Sequence, residues 1–136
     1  MESPLKVCVI TNNPLVARGL PEQYLVDYEN QSYRQILVKV RDLVYAGHRL
    51  YTHPLSGSVK PNETPYKSIV VSRHPEKMEL EEAIMISGSI ETFDKFAPRK
   101  RELTAEINKD FQLVDYALLC GALGLDAAAG LSIAAN

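Results

Sequence analysis

Runs of consecutive apolar residues in this chain alternate with stretches where apolar positions recur every three or four residues. Leu5-Lys6-Val7-Cys8-Val9-Ile10-Thr11 holds one charge among mostly β-favouring residues, the pattern of a strand covered on both faces. Asn12-Asn13-Pro14 ends it, because the residue before proline is pushed out of the helical region. Residues 15–19 then have room for one helical turn, and Tyr24-Leu25-Val26-Asp27-Tyr28 reads as a second short strand. Tyr33, Ile36, Leu37, Val40, Leu43 and Val44 share one helical face. Ser32 stands at the N-cap position and Gly47 where a helix ends in a left-handed residue. Leu50-Tyr51-Thr52 and Ser68-Ile69-Val70-Val71-Ser72 read as further strands. Strand, helix, strand in succession predicts a parallel βαβ unit.

The second half reads as helical. Over 78–96, Leu80, Ile84, Ser87 and Glu91 form one stripe with Ala83, Ile86, Ile90 and Phe93 beside it, and Gly88 is a candidate break. Over 102–120, Leu103, Ile107, Phe111, Val114 and Leu118 fall at steps of four, four, three and four, a face expected to pack on the sheet. Gly121, Gly124 and Gly130 punctuate an Ala-rich end. The expectation is a small three-layer α/β domain over 1–121, Rossmann-like, with a short, mostly parallel sheet and C-terminal helices, followed by a tail over 122–136.

The interruption that stands out is 52–67, one long loop holding Pro54, Pro61 and Pro65, three of the eight prolines. Proline removes a backbone donor and fixes φ, so neither a helix nor a central strand runs through it. Loops beyond roughly 12–15 residues are uncommon in compact domains unless functional or disordered, and rigid turns favour the functional case. In open parallel sheets ligands bind outside the carboxyl ends of the strands. That rule brings Asn12 and Asn13 together with His53, Ser56, Gly57, Ser58, Lys60, Asn62 and Tyr66 as candidate recognition residues. Ser56-Gly57-Ser58 offers backbone N–H groups and hydroxyls to an anion, with Lys60 supplying charge, although a Ser-Gly-Ser turn needs no ligand. His53 is of the residue type suited to general acid–base work, yet no nucleophile stands at a recognisable spacing from it. No catalytic residue is assigned.

Composition narrows the classes. A chain of 136 residues that is 46% hydrophobic and 24% charged suits one globular domain with a real core. With 15 basic and 17 acidic residues the net charge is −2, which does not favour nucleic acid or an anionic membrane. The basic run Arg99-Lys100-Arg101 reads as solvent-exposed or as a docking patch for an acidic partner. The first residues lack a secretory apolar stretch, and no run approaches the roughly 20 residues of a membrane span, so a cytoplasmic location is expected. Cys8 and Cys120 have no CxxC or Cys/His spacing, so no disulfide framework or metal site is suggested, and both read as buried thiols. GxxxxGK[ST] and GxGxxG are absent, and no cofactor is implied.

Thr11-Asn12-Asn13-Pro14-Leu15-Val16, Val38-Lys39-Val40-Arg41-Asp42 and above all Gly47-His48-Arg49-Leu50 with the loop from Thr52 to Ser68 resemble the GrdX family. The resemblance covers roughly residues 7–72, with a weaker echo at Asp110 to Tyr116. Its members are small proteins encoded alongside selenium-dependent glycine, sarcosine and betaine reductase complexes. The resemblance implies a non-catalytic accessory protein whose partners are reductase subunits, with the loop as recognition surface. The other reading is a protein or enzyme that binds a small carboxylate or phosphate at the carboxyl edge of the sheet.

Overall fold

The computed structural model describes residues 3–57, 60–98 and 102–128. Ser58, the Arg99-Lys100-Arg101 run and most of the Ala-rich end lie outside them. Three strands, β1 (Val7–Thr11), β2 (Leu25–Tyr28) and β3 (Ser68–Ser72), form a sheet in the order β2-β1-β3. Among the described residues four α-helices flank it: α1 (Pro14–Gly19), α2 (Tyr33–Tyr45), α3 (Leu80–Lys95) and α4 (Ala105–Leu123).

Side chains alternate across a strand, and here both sides are covered. Val7 and Val9 of β1 and Val70 of β3 meet α1 and α4, whereas Cys8, Ile10, Ile69 and Val71 meet α2 and α3. The three layers follow directly. The α2 face is the one its spacing predicts, with Tyr33, Ile36, Leu37, Val40 and Val44 buried. Its start is a capping box: the Gln35 N–H donates to the Ser32 hydroxyl while the Ser32 N–H donates to the Gln35 side chain. Cys8 and Cys120 are both free and buried.

The sheet is mixed. β1 and β2 are parallel, joined through α1 over residues 12–24, about the dozen residues a parallel crossover needs. β3 runs antiparallel to β1, with Thr11 opposite Ser68. The segment expected as a strand at 50–52 makes only an isolated antiparallel bridge, Leu50 to Val71. It fails to extend because the Val70 N–H turns to the Thr52 hydroxyl at 3.0 Å instead of to a backbone carbonyl. Since it opposes β3, this segment runs in the direction of β1, so Thr11 and Thr52 still emerge at the same edge.

Two helices depart from their expected readings. Gly88 does not interrupt α3, which runs unbroken from Leu80 to Lys95 with Ala83, Ile86, Ser89 and Ile90 inward, while Leu80 and Ile84 are exposed. In α4 the inward residues are Asp115, Tyr116, Leu119, Cys120 and Leu123, and Val114 and Leu118 are exposed. The helix is thus turned by roughly one residue, about 100°, from its most apolar stripe. Polar anchors explain the rotation: the Tyr116 hydroxyl donates to the Gly19 carbonyl at 2.9 Å, and Asp115 is held from three sides. Only glycine at 19 leaves space, since a Cβ there would lie 2.8 Å from the Tyr116 ring. The helix also continues past Gly121 and ends on left-handed Gly124, φ 73°.

Candidate functional site

The carboxyl end of β1, the start of β3 and the middle of α4 converge on Asp115. Its Oδ1 accepts the Ser68 N–H at 3.0 Å, and its Oδ2 accepts the Ser68 hydroxyl at 2.7 Å and the Asn13 side-chain amide at 3.0 Å. Because the Ser68 hydroxyl spends its proton on Asp115, it accepts from the Thr11 hydroxyl, 2.7 Å away, and Thr11 in turn accepts the Asn13 N–H at 2.9 Å. The direction of every proton in this chain is therefore set by the carboxylate. Burial pushes the Asp115 carboxyl up, against the opposing pull of Asn13, Ser68 and the nearby Lys67.

Asn12 fastens the loop to the same edge. Its amide donates to the Pro65 carbonyl at 2.7 Å and to the Gln31 carbonyl at 2.9 Å, and its oxygen accepts the Lys67 N–H at 2.8 Å. The adjacent residue, Lys67, turns its side chain inward and is only 6% exposed. Its ammonium donates to the Ser56 carbonyl at 2.6 Å, the one hydrogen bond it makes among the described residues. Burial lowers its pKa, with Asp115 acting in the opposite direction.

Lys67, Ser68 and Asp115 lie at the base of a cavity of about 50 Å3. The loop supplies one wall through Ser56, Gly57, Thr64 and Tyr66, and α4 supplies the other through Phe111, Val114 and Leu118. The apolar stripe that α4 turns away from the sheet thus contributes to this wall. Donors among the lining residues include Lys67, Thr52, Thr64, Tyr66 and Tyr33. Thr52 and Thr64 each accept a backbone N–H, from Val70 and Tyr66, and the Tyr66 hydroxyl accepts from Gln112 at 2.9 Å. Among the described residues nothing takes the hydroxyl protons of Thr52, Thr64 and Tyr66, so they are available to a ligand, together with the remaining protons of Lys67. The carboxylate oxygens of Asp115 are already met by three donors.

Of the residues proposed from sequence, Ser56, Gly57 and Tyr66 line this cavity. Asn13 is wholly buried and serves the Asp115 network and the start of α1, where its side chain accepts the Leu15 N–H at 3.0 Å. Asn12 acts as the loop's clasp. His53 is exposed and accepts the Leu55 N–H on its own ring at 3.0 Å, Lys60 is exposed, and Asn62 lies on a separate groove. Lys67 falls within the loop 52–67 that the sequence singles out, whereas Ser68, Thr11 and Asp115 were missed. Asp115 did leave a trace, as the lone charge between Asp110 and Asp126.

Among the described residues no group of three or more His, Cys, Asp or Glu side chains is placed to hold a metal ion, and no helix is long and apolar enough to cross a membrane. No curated protein and no solved structure matches the chain. A family model described as GrdX-like protein matches residues 8–124, taking in the sheet, the loop and all four helices. The chain belongs to the GrdX-like protein family.

Proposed function

We propose that this chain is a non-catalytic accessory protein of a selenium-dependent glycine, sarcosine or betaine reductase system, and that its working site is the cavity closed by loop 52–67, which takes a small carboxylate. Membership of the GrdX-like family suggests association with glycine reductase systems. The observation that carries the ligand reading is Lys67, a buried lysine whose ammonium makes one hydrogen bond among the described residues, beside the hydroxyls of Thr52, Thr64, Tyr66 and Tyr33. A buried charge is costly unless paired and hydrogen-bonded, and an anion lodged there meets both needs. The cavity's about 50 Å3 compares with roughly 10–15 Å3 for one water, so the ligand has only a few heavy atoms. The apolar side, Phe111, Val114 and Leu118, favours a carboxylate with a short aliphatic body over bare phosphate.

Calorimetry on the full chain with acetate, glycine, betaine, acetyl phosphate and inorganic phosphate tests this. A carboxylate is expected to bind with micromolar to millimolar affinity, since hydrogen bonds to a charged group contribute about 1.5–3 kcal/mol each before ordering costs. Lys67→Met, checked for an unchanged circular dichroism spectrum, is expected to weaken it by roughly tenfold or more. If none binds the native protein at millimolar concentration, the ligand reading fails. The loop then acts as a docking surface for a reductase subunit, a role favoured by exposed Leu113 and Leu118 of α4 and exposed His53 and Lys60.

A further inference from the structure

Turning α4 so that Asp115 and Tyr116 face inward leaves its outer side apolar. Leu113, Val114 and Leu118 are 41%, 37% and 46% exposed, and Ala117, Gly121 and Ala122 are exposed beside them. These residues recur at i, i+1, i+4, i+5, i+8 and i+9, so they form one stripe over three successive turns. Between Asp110 and Asp126 the single charged residue is Asp115, which is buried, so no charge interrupts the stripe. A surface helix ordinarily presents charged residues to water, and a contiguous apolar patch facing water is a candidate contact surface. A strongly charged partner finds nothing on this stripe to pair with. The order of sizes along it is also directional. Leu113 and Val114 form a large first turn, Ala117 and Leu118 lie midway, and Gly121 and Ala122 form a small last turn. Reversed end to end, the stripe is complementary to itself.

We propose that this stripe docks on the same stripe of a second copy of the chain, the two α4 helices lying antiparallel about a two-fold axis level with Ala117 and Leu118. Such an isologous contact sets one patch against itself. The turn of Leu113 and Val114 in each molecule then packs over Gly121 and Ala122 of the other, where small side chains let the helices approach near the short end of the usual about 8–10 Å. The room at Gly121 lies outside the molecule's own packing, since a Cβ there would meet nothing within 4 Å. Exposed Lys109 comes to the C-terminal end of the copy's α4, where the helix dipole is negative and exposed Asp126 follows. A parallel pairing would instead set Asp110 beside Asp110 and the two large turns against each other. Val114, Leu118 and Ala122 also line the Lys67 cavity, so the copy covers its α4 rim, but the pairing needs no ligand there and is independent of the carboxylate reading.

A contact between two single helices buries less than the roughly 1,600 Å2 of a standard interface, so the dimer is expected to be weak. Sedimentation equilibrium of the full chain from micromolar to millimolar concentration tests it, and the wild type should pass from monomer to dimer within that range. Two variants outside the cavity probe the register. Leu113→Glu sets a charge over the copy's small turn and should raise the dissociation constant roughly tenfold or more. Gly121→Ala should raise the melting temperature of the monomer, because glycine is unfavourable within a helix, yet weaken pairing by filling the space that the copy's Leu113 occupies. Ala117→Cys, placed beside its own copy, should form a disulfide-linked dimer on mild oxidation, whereas Leu80→Cys on the exposed side of α3 should not, and the native Cys8 and Cys120 are buried. The proposal is overturned if the chain stays monomeric at millimolar concentration, the result expected when a different protein covers the stripe. It is equally overturned if Leu113→Glu pairs as well as wild type, if Gly121→Ala pairs more tightly, or if Ala117→Cys links no faster than Leu80→Cys.

Discussion

Lys67 shows how burial converts a common surface residue into a candidate site. An exposed lysine in a polar loop contributes little, but here the stem runs inward and the ammonium meets one carbonyl and the field of Asp115. Its folded-state pKa lies below its unfolded value, so the folded protein binds its proton less readily than the unfolded chain does. Unfolding therefore takes up protons in the window between the two, and stability rises with pH there. The contribution is a cost that is full below the folded pKa and gone above the unfolded value of about 10.4. Chemical denaturation from neutrality towards that value should show wild-type stability gaining on Lys67→Met as pH increases. Tyr33 and Tyr116, raised by burial, oppose this in the upper part of the window, because unfolded tyrosines ionise from about 10, but both proteins carry them, so they cancel in the comparison. Parallel pH curves for the two proteins would mean that Lys67 is solvated in the folded state.

At the scale of elements, periodicity placed the helices well and oriented them unevenly. The α2 face was legible because no polar residue inside it competes for burial, whereas α4 was misread because its apolar stripe is not its inward side. Hydrogen bonds from Asn13 and Ser68 outweigh the burial of Val114 and Leu118, and nothing in the local pattern reveals partners so far along the chain. Glycines divide in the same way. Gly47 closes α2 at φ 110°, and a Cβ there would lie 2.0 Å from the Glu76 carbonyl oxygen, whereas Gly88 has nothing within 4 Å of the corresponding position. Gly47→Ala should destabilise by more than the about 1–3 kcal/mol of backbone strain alone, because the 74–77 turn must also move. Gly88→Ala should stabilise α3 by roughly 0.5–1 kcal/mol. Thermal melts of the two variants are expected to shift in opposite directions.

For the whole molecule, the edge that carries the candidate site was legible from topology, since β1 and the 50–52 segment end together even though β3 is reversed. The residues that build it were not, because the decisive contacts join positions 47 and 102 apart in the chain. Asp115 ties three parts of the fold: β1 through Asn13, β3 and the loop exit through Ser68, and α4 itself. Asp115→Ala would leave the Ser68 N–H and the Asn13 amide as buried donors with one partner fewer, and would remove the carboxylate whose field acts on Lys67. Removing one member of such a buried charged cluster costs about 3–5 kcal/mol, a large share of the 5–15 kcal/mol typical of native proteins. Urea unfolding should show a midpoint lowered accordingly with little change in slope, and hydrogen exchange should quicken at the Ser68 amide and along the middle of α4 more than in α2, which packs on the opposite face. Asp115→Asn, equal in shape but uncharged, should fall between the two proteins. A loss below about 1 kcal/mol in Asp115→Ala, the range of an exposed pair, would show that water reaches this carboxylate and that the clasp between α4 and the sheet is apolar packing alone.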